Sequence, residues 1–230
     1  MNILVDWGGT ISRDETIIKI RRNYFKQWYG PKNWEEMNNL NHIQSGVYNS
    51  NNCLFSAKKL EEIKNSFFSS GEIYPDSADV ISRYCENDCK ISIKTNIYIV
   101  FDNVPNININ QQKIIKQMAF AFDARGIKTN GYYVDSDKIY LSKQIGADIV
   151  IEDDPRVAIA LCLAGIKCVL VLRRWNRLFS INSLYLTMKE EKIKKIEENL
   201  FFAEDWKDVE NIIDWQVCIF ENLSFSQNIV

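Results

Sequence analysis

Short apolar runs alternate with longer amphipathic stretches along most of this chain, and the alternation predicts its fold. The runs are rich in Ile, Val and Leu and end at glycine or polar residues, which is typical of buried strands. The stretches between them carry apolar residues at helical spacing. Strands that alternate with helices favour parallel pairing with helical crossovers. The pattern therefore predicts an α/β fold with a Rossmann-like parallel sheet.

The predicted elements follow one another closely after residue 75. Strands are predicted at residues 3–5, 90–94, 131–134, 148–151, 167–172 and 200–203. Helices are predicted at residues 77–86, 111–125, 138–145, 156–164, 188–199 and 206–213. The tail from residue 221 is expected to be loosely held.

A segment without a strong strand pattern separates the first strand from the others. It contains predicted helices at residues 16–29, 34–40 and 56–68, and Gly30-Pro31 ends the first of them. We therefore expect a small helical cap over residues 13–74. Residues 1–12 and 75–230 are expected to form the α/β core.

Asp6 directly follows the first apolar run and precedes a Gly-Gly turn. Ligands of open α/β sheets bind at the carboxyl ends of the strands. A carboxylate at this position therefore favours chemistry. The alternative is that Asp6 caps the following turn.

A second acidic group, Glu152-Asp153-Asp154, follows the apolar run at residues 149–151. Neighbouring carboxylates repel one another, and Mg²⁺ is the kind of cation that oxygen ligands of this type bind. The alternative is an acidic N-terminus for the helix at 156–164, which the helix dipole favours. Together with Asp6, the acidic group favours the metal.

Four segments of the chain are distinctive: residues 6–10, residues 91–96, Lys138 with Glu152, and residues 165–176. In this order they resemble the motifs of the haloacid dehalogenase-like (HAD) hydrolase superfamily, and the resemblance covers nearly the whole chain. Within the superfamily, the chain is most similar to small phosphatases of the deoxyribonucleotidase type. The nucleophile motif of these phosphatases, D-x-D-G-T, resembles Asp6-Trp-Gly-Gly-Thr10. The other motifs resemble, in turn, residues 91–96, Lys138 at 14 positions before Glu152 and its acidic neighbours, and residues 165–171 with 173–176.

The resemblance implies a Mg²⁺-dependent phosphatase or phosphotransferase that acts on a small phosphorylated molecule. Asp6 is the implied nucleophile, Thr95 the donor to the phosphoryl group, and Lys138 the positive charge beside both. The implied metal ligands are Asp6, Gly8 through its carbonyl, Asp153 and Asp154, with Asp154 or Glu152 orienting Asp153. The implied substrate-binding residues are Gly8, Gly9, Thr10, Thr95 and Asn96.

One position departs from the phosphatase motif, because Gly8 replaces its second Asp. In the family, that Asp protonates the leaving oxygen and then activates water. General acid–base catalysis typically contributes about 10²–10⁴-fold. Three alternatives follow: a substrate with a good leaving group, an acid supplied by Asp14 or Glu15, or a catalytically silent protein that binds a phosphorylated ligand or a protein partner.

A metal-free dehalogenase also uses a single Asp, but the acidic group at 152–154 would repel its anionic organic substrate. Two further features have open interpretations. Trp7 either lines the leaving-group side of the site or packs in the core. Arg173, Arg174 and Asn176 follow a predicted strand and are candidate contacts for a substrate phosphate.

Composition adds few constraints. The 230 residues are 46% hydrophobic and 25% charged, which is ordinary for a globular domain, and a net charge of −2 argues against a nucleic-acid polymer as partner. The six cysteines lack zinc-site spacing and suit a reducing compartment, with Cys162 and Cys168 expected in the core. Since nothing approaches the ~18 apolar residues of a membrane span, we expect a cytoplasmic protein without a membrane partner.

Overall fold

The computed structural model of the protein describes residues 1–12, 73–86, 94–102, 110–135, 137–173, 176–177, 179–186 and 188–227. Within these ranges the side chains of residues 102, 183, 186 and 220–227 are not described. The expected cap at 13–74 therefore lies outside the described residues except for Ile73 and Tyr74. Asp14 and Glu15 also lie outside them.

One six-stranded sheet forms the centre of the described residues, and every neighbouring pair of strands is parallel. The strands are β1 (Asn2–Asp6), β2 (Asn96–Asp102), β3 (Gly131–Asp135), β4 (Ile149–Glu152), β5 (Lys167–Val171) and β6 (Leu200–Ala203). The helices are α1 (Pro75–Cys85), α2 (Gln111–Asp123), α3 (Lys138–Ile145), α4 (Pro155–Leu163), α5 (Glu190–Asn199) and α6 (Trp206–Gln227), with a 3₁₀ helix at Ile181–Leu186. The predicted α/β fold with a Rossmann-like parallel sheet is confirmed.

The strand order, β3-β2-β1-β4-β5-β6, places β1 where the direction of the chain through the sheet reverses. Connections at such a reversal leave toward opposite faces, which opens a crevice at the carboxyl ends of the strands. Asp6 is the last residue of β1 and therefore borders this crevice.

Side chains of β1 alternate between two apolar cores, as the period of two along a strand requires. Ile3 and Val5 pack into the core on one face of the sheet. Leu4 packs into the core on the other face, together with Leu141 of α3. The alternation assigns Asp6 to the same face as Leu4, which is the face covered by α3.

The second strand of the sheet lies later in the chain than predicted. The run predicted at 90–94 lies outside the described residues except for Lys94, which is not in a strand. β2 instead starts at Asn96, and its buried residues Ile97, Ile99 and Phe101 pack into the same core as Ile3 and Val5. This run of β-branched and aromatic residues is long enough to pair with β1 on one side and with β3 on the other.

The last helix also differs from its prediction. We predicted a helix at residues 206–213 and a loosely held tail from 221, whereas α6 continues to Gln227. Apolar residues recur beyond Ile213, and Val217 is buried in the core. This burial explains the continuation of the helix as far as Val217.

Cys162 and Cys168 lie in the core, as predicted, and neither is accessible to solvent. Burial raises the pKa of the Cys162 thiol to about 12 and the pKa of Cys168 well above its ordinary value. Both side chains therefore remain neutral thiols and act as small packing residues.

The two ends of the segment at 13–72 leave the core side by side. Ser12 forms a β-bridge with Ile73, and the Tyr74 amide donates to the Ile11 carbonyl at 2.8 Å. The segment is thus inserted between β1 and α1 at a single point. That it folds as a helical cap stays a prediction.

Among the described residues, none of the helices combines the length and the apolar character that a membrane crossing requires.

Candidate active site

Three fully buried carboxylates lie together at the carboxyl edge of the sheet, at the ends of β1 and β4. Asp6, Glu152 and Asp153 each contribute one oxygen, and these oxygens lie within 4.8 Å of one another. All three are acceptors when ionised. The cluster therefore concentrates negative charge at the crevice.

Lys138 supplies a buried positive charge to this cluster. Its Nζ atom donates to Asp6 Oδ1 at 2.7 Å and to Glu152 Oε2 at 2.5 Å. Lys138 is the first residue of α3, and the Asp137 side chain caps that helix by accepting from the Tyr140 amide. The start of α3 thus fixes the lysine over the end of the sheet.

Glu152 is oriented on both sides of its carboxylate. While Oε2 accepts from Lys138, Oε1 accepts from the backbone amides of Asp153 and Asp154 at 3.1 and 2.9 Å. Glu152 therefore holds the lysine and the backbone of the following turn in one arrangement.

Thr10 connects the other two carboxylates. Its Oγ1 atom lies 3.1 Å from Asp6 Oδ2 and 3.2 Å from Asp153 Oδ1. A hydroxyl has one proton to donate, so it can satisfy only one of these oxygens at a time. Asp6 Oδ2 and Asp153 Oδ1 therefore both face the Thr10 hydroxyl.

As metal ligands, the three carboxylates fit a hard divalent cation. The cluster consists only of carboxylate oxygens, which are ligands that Mg²⁺ takes one or two at a time together with water and phosphate. Lys138 forms ion pairs with two of these buried carboxylates, Asp6 and Glu152, and buried negative charge is costly without a counter-ion. Asp6 and Asp153 are the residues that could hold the cation.

Asp154 is not part of this cluster, which differs from the ligand set implied by the resemblance. Its side chain accepts from the Arg156 amide at 3.0 Å and caps α4. The Arg156 guanidinium also donates to both of its oxygens through Nε and Nη2. Glu152 occupies the third position of the cluster instead.

Thr95 and Asn96 lie at the opposite edge of the sheet, which corrects their implied role at the phosphoryl group. Asn96 pairs with Asn2 at the start of β1, whereas Asp6 pairs with Val100. Four residues of strand separate the two levels, or about 13 Å. Asp102 is the residue at the carboxyl end of β2, and residues 103–109 lie outside the described ranges.

The glycine turn after Asp6 contains one position that requires glycine. Gly9 has a φ of 90°, which disfavours any side chain, whereas Gly8 is not among the glycines with positive φ. Gly8 forms a β-bridge with Ser12, which folds the turn back on itself. Gly8 and Thr10 thus lie in one compact turn beside Asp6.

Trp7 packs in the core rather than facing the crevice. Its ring meets that of Phe122 edge to face, with 6.0 Å between the ring centroids, and the residue is 6% exposed. Of the two interpretations, packing is the one that these contacts support.

Two residues after β5 donate from their side chains to backbone carbonyls of the site, which differs from their predicted role as contacts for a substrate phosphate. Arg173 donates to the carbonyls of Gly9 and Thr10, and Asn176 donates to the carbonyl of Asp153. Contacts to carbonyls leave no residue-type signature at the accepting positions. Arg174 lies outside the described residues.

The whole fold is similar to that of a dehalogenase solved with an intermediate complex. The likeness covers 92% of this chain and 96% of the dehalogenase, at a TM-score of 0.52 and 6% sequence identity. The chain shares this dehalogenase's fold. At so low an identity the likeness concerns the fold alone.

Other solved structures score slightly lower. A haloacid dehalogenase-like family hydrolase from Streptococcus pneumoniae gives a TM-score of 0.49 at 10% identity, over 93% of this chain and 97% of that one. CbbY from Rhodobacter sphaeroides, in complex with phosphate, gives 0.47 at 13% identity, over 89% and 94%. No protein-family model matches the chain, and no curated protein matches its sequence.

Within this dehalogenase-like fold, we expect Lys138→Met to lower the free energy of unfolding by about 3 kcal/mol, because it leaves buried carboxylates without their cation. Adding Glu152→Gln should recover part of this loss, since it removes one of the stranded charges. Urea denaturation measures both effects. Lys143→Met, on the exposed side of the same helix, is the matched control, and an equal loss in the two lysine variants would contradict the expectation.

Proposed function

We propose that the protein is a Mg²⁺-dependent phosphatase or phosphotransferase of the HAD type that acts on a small phosphorylated molecule through Asp6. The observation that carries the proposal is the convergence of Asp6, Asp153 and Lys138 at the carboxyl end of β1. The dehalogenase-like fold supports it, because its crevice opens at this edge of the sheet.

Asp6 is the proposed nucleophile. One of its carboxylate oxygens bonds to phosphorus while the bond from phosphorus to the leaving oxygen breaks, which produces an aspartyl-phosphate. Attack by water on that phosphorus then regenerates the carboxylate and releases phosphate, whereas attack by another hydroxyl completes a transfer.

Lys138 and Thr10 are proposed to hold the nucleophile in position. The ammonium at 2.7 Å fixes Asp6 Oδ1 and adds positive charge where phosphoryl oxygens become more negative. A Mg²⁺ ion held by Asp6, Asp153 and the Gly8 carbonyl would supply further charge neutralisation.

Gly8 restricts the substrates that this site can serve. Without a carboxyl group at position 8, no acid from the motif protonates the leaving oxygen. The leaving group must then depart as a stable anion, which acyl phosphates and aryl phosphates provide. We therefore propose acyl or activated phosphates as the substrate class, in a reducing cytoplasmic setting that suits the free thiols.

Phosphate release from acetyl phosphate and p-nitrophenyl phosphate, with and without Mg²⁺, tests the proposal. We expect release only with Mg²⁺. Asp153→Asn should weaken Mg²⁺ binding by at least about tenfold, because it converts one of two metal-facing carboxylates into a neutral amide. Calorimetric titration with Mg²⁺ measures the affinity independently of turnover.

Asp154→Asn is the matched control for the metal. Asparagine retains the oxygen that caps α4, and Asp154 faces Arg156 rather than the cluster. Its Mg²⁺ affinity should equal that of the wild type. A larger loss in Asp154→Asn than in Asp153→Asn would transfer the ligand role to Asp154.

A further inference from the structure

We propose that Arg173 is a positioning residue that fixes the nucleophile loop, which we define as residues 7–12, and that Asn176 fixes Asp153 in the same way. The proposal rests on the proposed function for its catalytic consequence, but the positioning itself is a property of the fold. It assigns to the turn after β5 the task of holding both halves of the site in register.

The Arg173 guanidinium binds two successive carbonyls of the nucleophile loop. Nε donates to the Gly9 carbonyl at 3.1 Å and Nη2 to the Thr10 carbonyl at 2.7 Å. Trp206 Nε1, at the start of α6, donates to the same Thr10 carbonyl at 3.3 Å. The planar fork of arginine suits two acceptors at fixed spacing, which a lysine ammonium cannot match.

The guanidinium also contacts an aromatic ring. Its central carbon lies 4.1 Å from the centre of the Tyr74 ring, a cation–π contact. The Tyr74 amide also donates to the Ile11 carbonyl of the loop. Arg173 therefore contacts both the nucleophile loop and Tyr74, near which the chain returns from the segment at 13–72.

Asn176 performs the corresponding task on the metal side. Its Oδ1 accepts from the Arg173 amide at 2.6 Å, and its Nδ2 donates to the carbonyls of Val171 and Asp153, both at 2.8 Å. Asn176 is fully buried. One turn thus grips the backbone of the nucleophile loop through Arg173 and the backbone of Asp153 through Asn176.

The contacts of Arg173 and Asn176 fix the distance between Thr10 and Asp153, on which the site depends. Thr10 Oγ1 lies within hydrogen-bond distance of both Asp6 and Asp153. Arg173 holds the Thr10 backbone in the position that allows these contacts. Arg173 contacts carbonyl oxygens of the loop, so it acts through Thr10 and Asp6 rather than on the substrate. A displacement of about 1 Å at a reacting group can cost about 10²-fold in rate.

Arg173→Met tests the proposal without relying on turnover. Hydrogen exchange of the amides of Trp7, Ile11 and Ser12, which are hydrogen-bonded within the loop or to β2, should become about tenfold faster, because the loop opens locally more often. The matched control is Arg177→Met, since the Arg177 side chain forms an exposed ion pair with Glu204, and its exchange rates should equal those of the wild type.

The catalytic consequence has its own signature. In Arg173→Met, kcat for acetyl phosphate should fall about tenfold with KM unchanged, and Mg²⁺ affinity should fall as well. Asn176→Asp, which retains the acceptor for the Arg173 amide but cannot donate to Asp153, should weaken Mg²⁺ binding without accelerating exchange in the nucleophile loop. Arg173→Lys should rescue only part of kcat.

The outcomes separate the two proposals. Unchanged loop exchange in a folded Arg173→Met variant overturns the positioning role, as does a raised KM with unchanged kcat, which would assign Arg173 to substrate binding. Faster loop exchange together with an inactive wild type supports the positioning role and rejects the proposed function. If Arg173→Met does not fold, Tyr74→Leu against Tyr74→Phe decides, because only leucine removes the ring, and equal loop exchange in the two overturns the proposal.

Discussion

Asp6→Asn should abolish phosphate release from acetyl phosphate, with a loss of about 10⁴-fold or more. An amide cannot attack phosphorus as a carboxylate does, so the aspartyl-phosphate cannot form at position 6. Glu152 is engaged with Lys138 and two backbone amides, which keeps it from replacing Asp6. Release of inorganic phosphate under saturating Mg²⁺ measures the loss.

A trapping experiment on the same variant identifies the covalent role directly. Beryllium fluoride with Mg²⁺ should form a stable phosphoryl mimic on wild-type Asp6 and raise its thermal midpoint, whereas Asp6→Asn should show no rise. Asp123→Asn, on the exposed side of α2, is the control and should behave as wild type. Undiminished turnover in Asp6→Asn would reject the proposed enzyme in this form.

In the absence of metal, Asp6→Asn should not lower the free energy of unfolding, although it abolishes activity. Asp6→Asn removes one of the two buried carboxylates that contact Lys138 and leaves Glu152 as its partner, so the metal-free variant should be at least as stable as the metal-free wild type. This contrast separates a catalytic loss from a folding defect.

Much of the site could be predicted because strand ends and helix starts leave strong local signals. Asp6 follows a short run of fully buried residues, and the period of two assigns it to the face of Leu4. Lys138 follows a capping Asp at the start of a helix whose predicted and observed limits coincide, but its role was implied by the family resemblance. The place of Asp6 in the fold therefore follows from a local pattern, whereas the role of Lys138 does not.

Register between strands could not be predicted in the same way. Two apolar runs lie close together around Thr95, and local pattern does not say which of them pairs with β1. Pairing depends on which run can fill the core against Ile3 and Val5, and the run from Ile97 to Phe101 does so. Choosing the shorter run placed Thr95 at the wrong edge of the sheet.

The three adjacent acids pose a similar problem at the scale of one residue. Their side chains leave the turn in different directions, so each has a different partner: Lys138 for Glu152, Thr10 for Asp153 and Arg156 for Asp154. Only the geometry of the turn decides which faces the crevice. Arg173 and Asn176 were harder still, because they act through backbone carbonyls that any residue type presents.

Gly8→Asp should raise the hydrolysis of alkyl phosphates, such as sugar or nucleoside esters, by about 10²–10⁴-fold. Wild type should cleave acetyl and p-nitrophenyl phosphates measurably and alkyl esters very slowly, because an alkoxide needs a proton as it leaves. A carboxyl group restored at position 8 supplies that proton and then accepts one from water. The slope of log kcat against the pKa of the leaving group should therefore be steep in wild type and shallow in the variant.

The two glycines of the turn differ in backbone conformation. Gly9, with its φ of 90°, would be strained by any side chain, whereas Gly8 is outside the group of glycines with positive φ. Gly9→Ala should therefore lose stability, and Gly8→Asp should not lose it for that reason. Gly8→Asn is the chemical control, because it has nearly the same shape and no titratable proton.

The comparison of Gly8→Asp with Gly8→Asn decides whether the missing carboxyl group at position 8 restricts the substrates of the wild type. A gain in Gly8→Asp alone identifies the missing acid as the element that restricts wild type to good leaving groups. If wild type already cleaves alkyl phosphates rapidly, another residue is the acid, and Asp14 and Glu15 are the first to replace. If neither wild type nor a folded Gly8→Asp variant releases phosphate from any ester while Mg²⁺ still binds, then the buried carboxylates serve ligand binding, and the chain is a silent member of this fold.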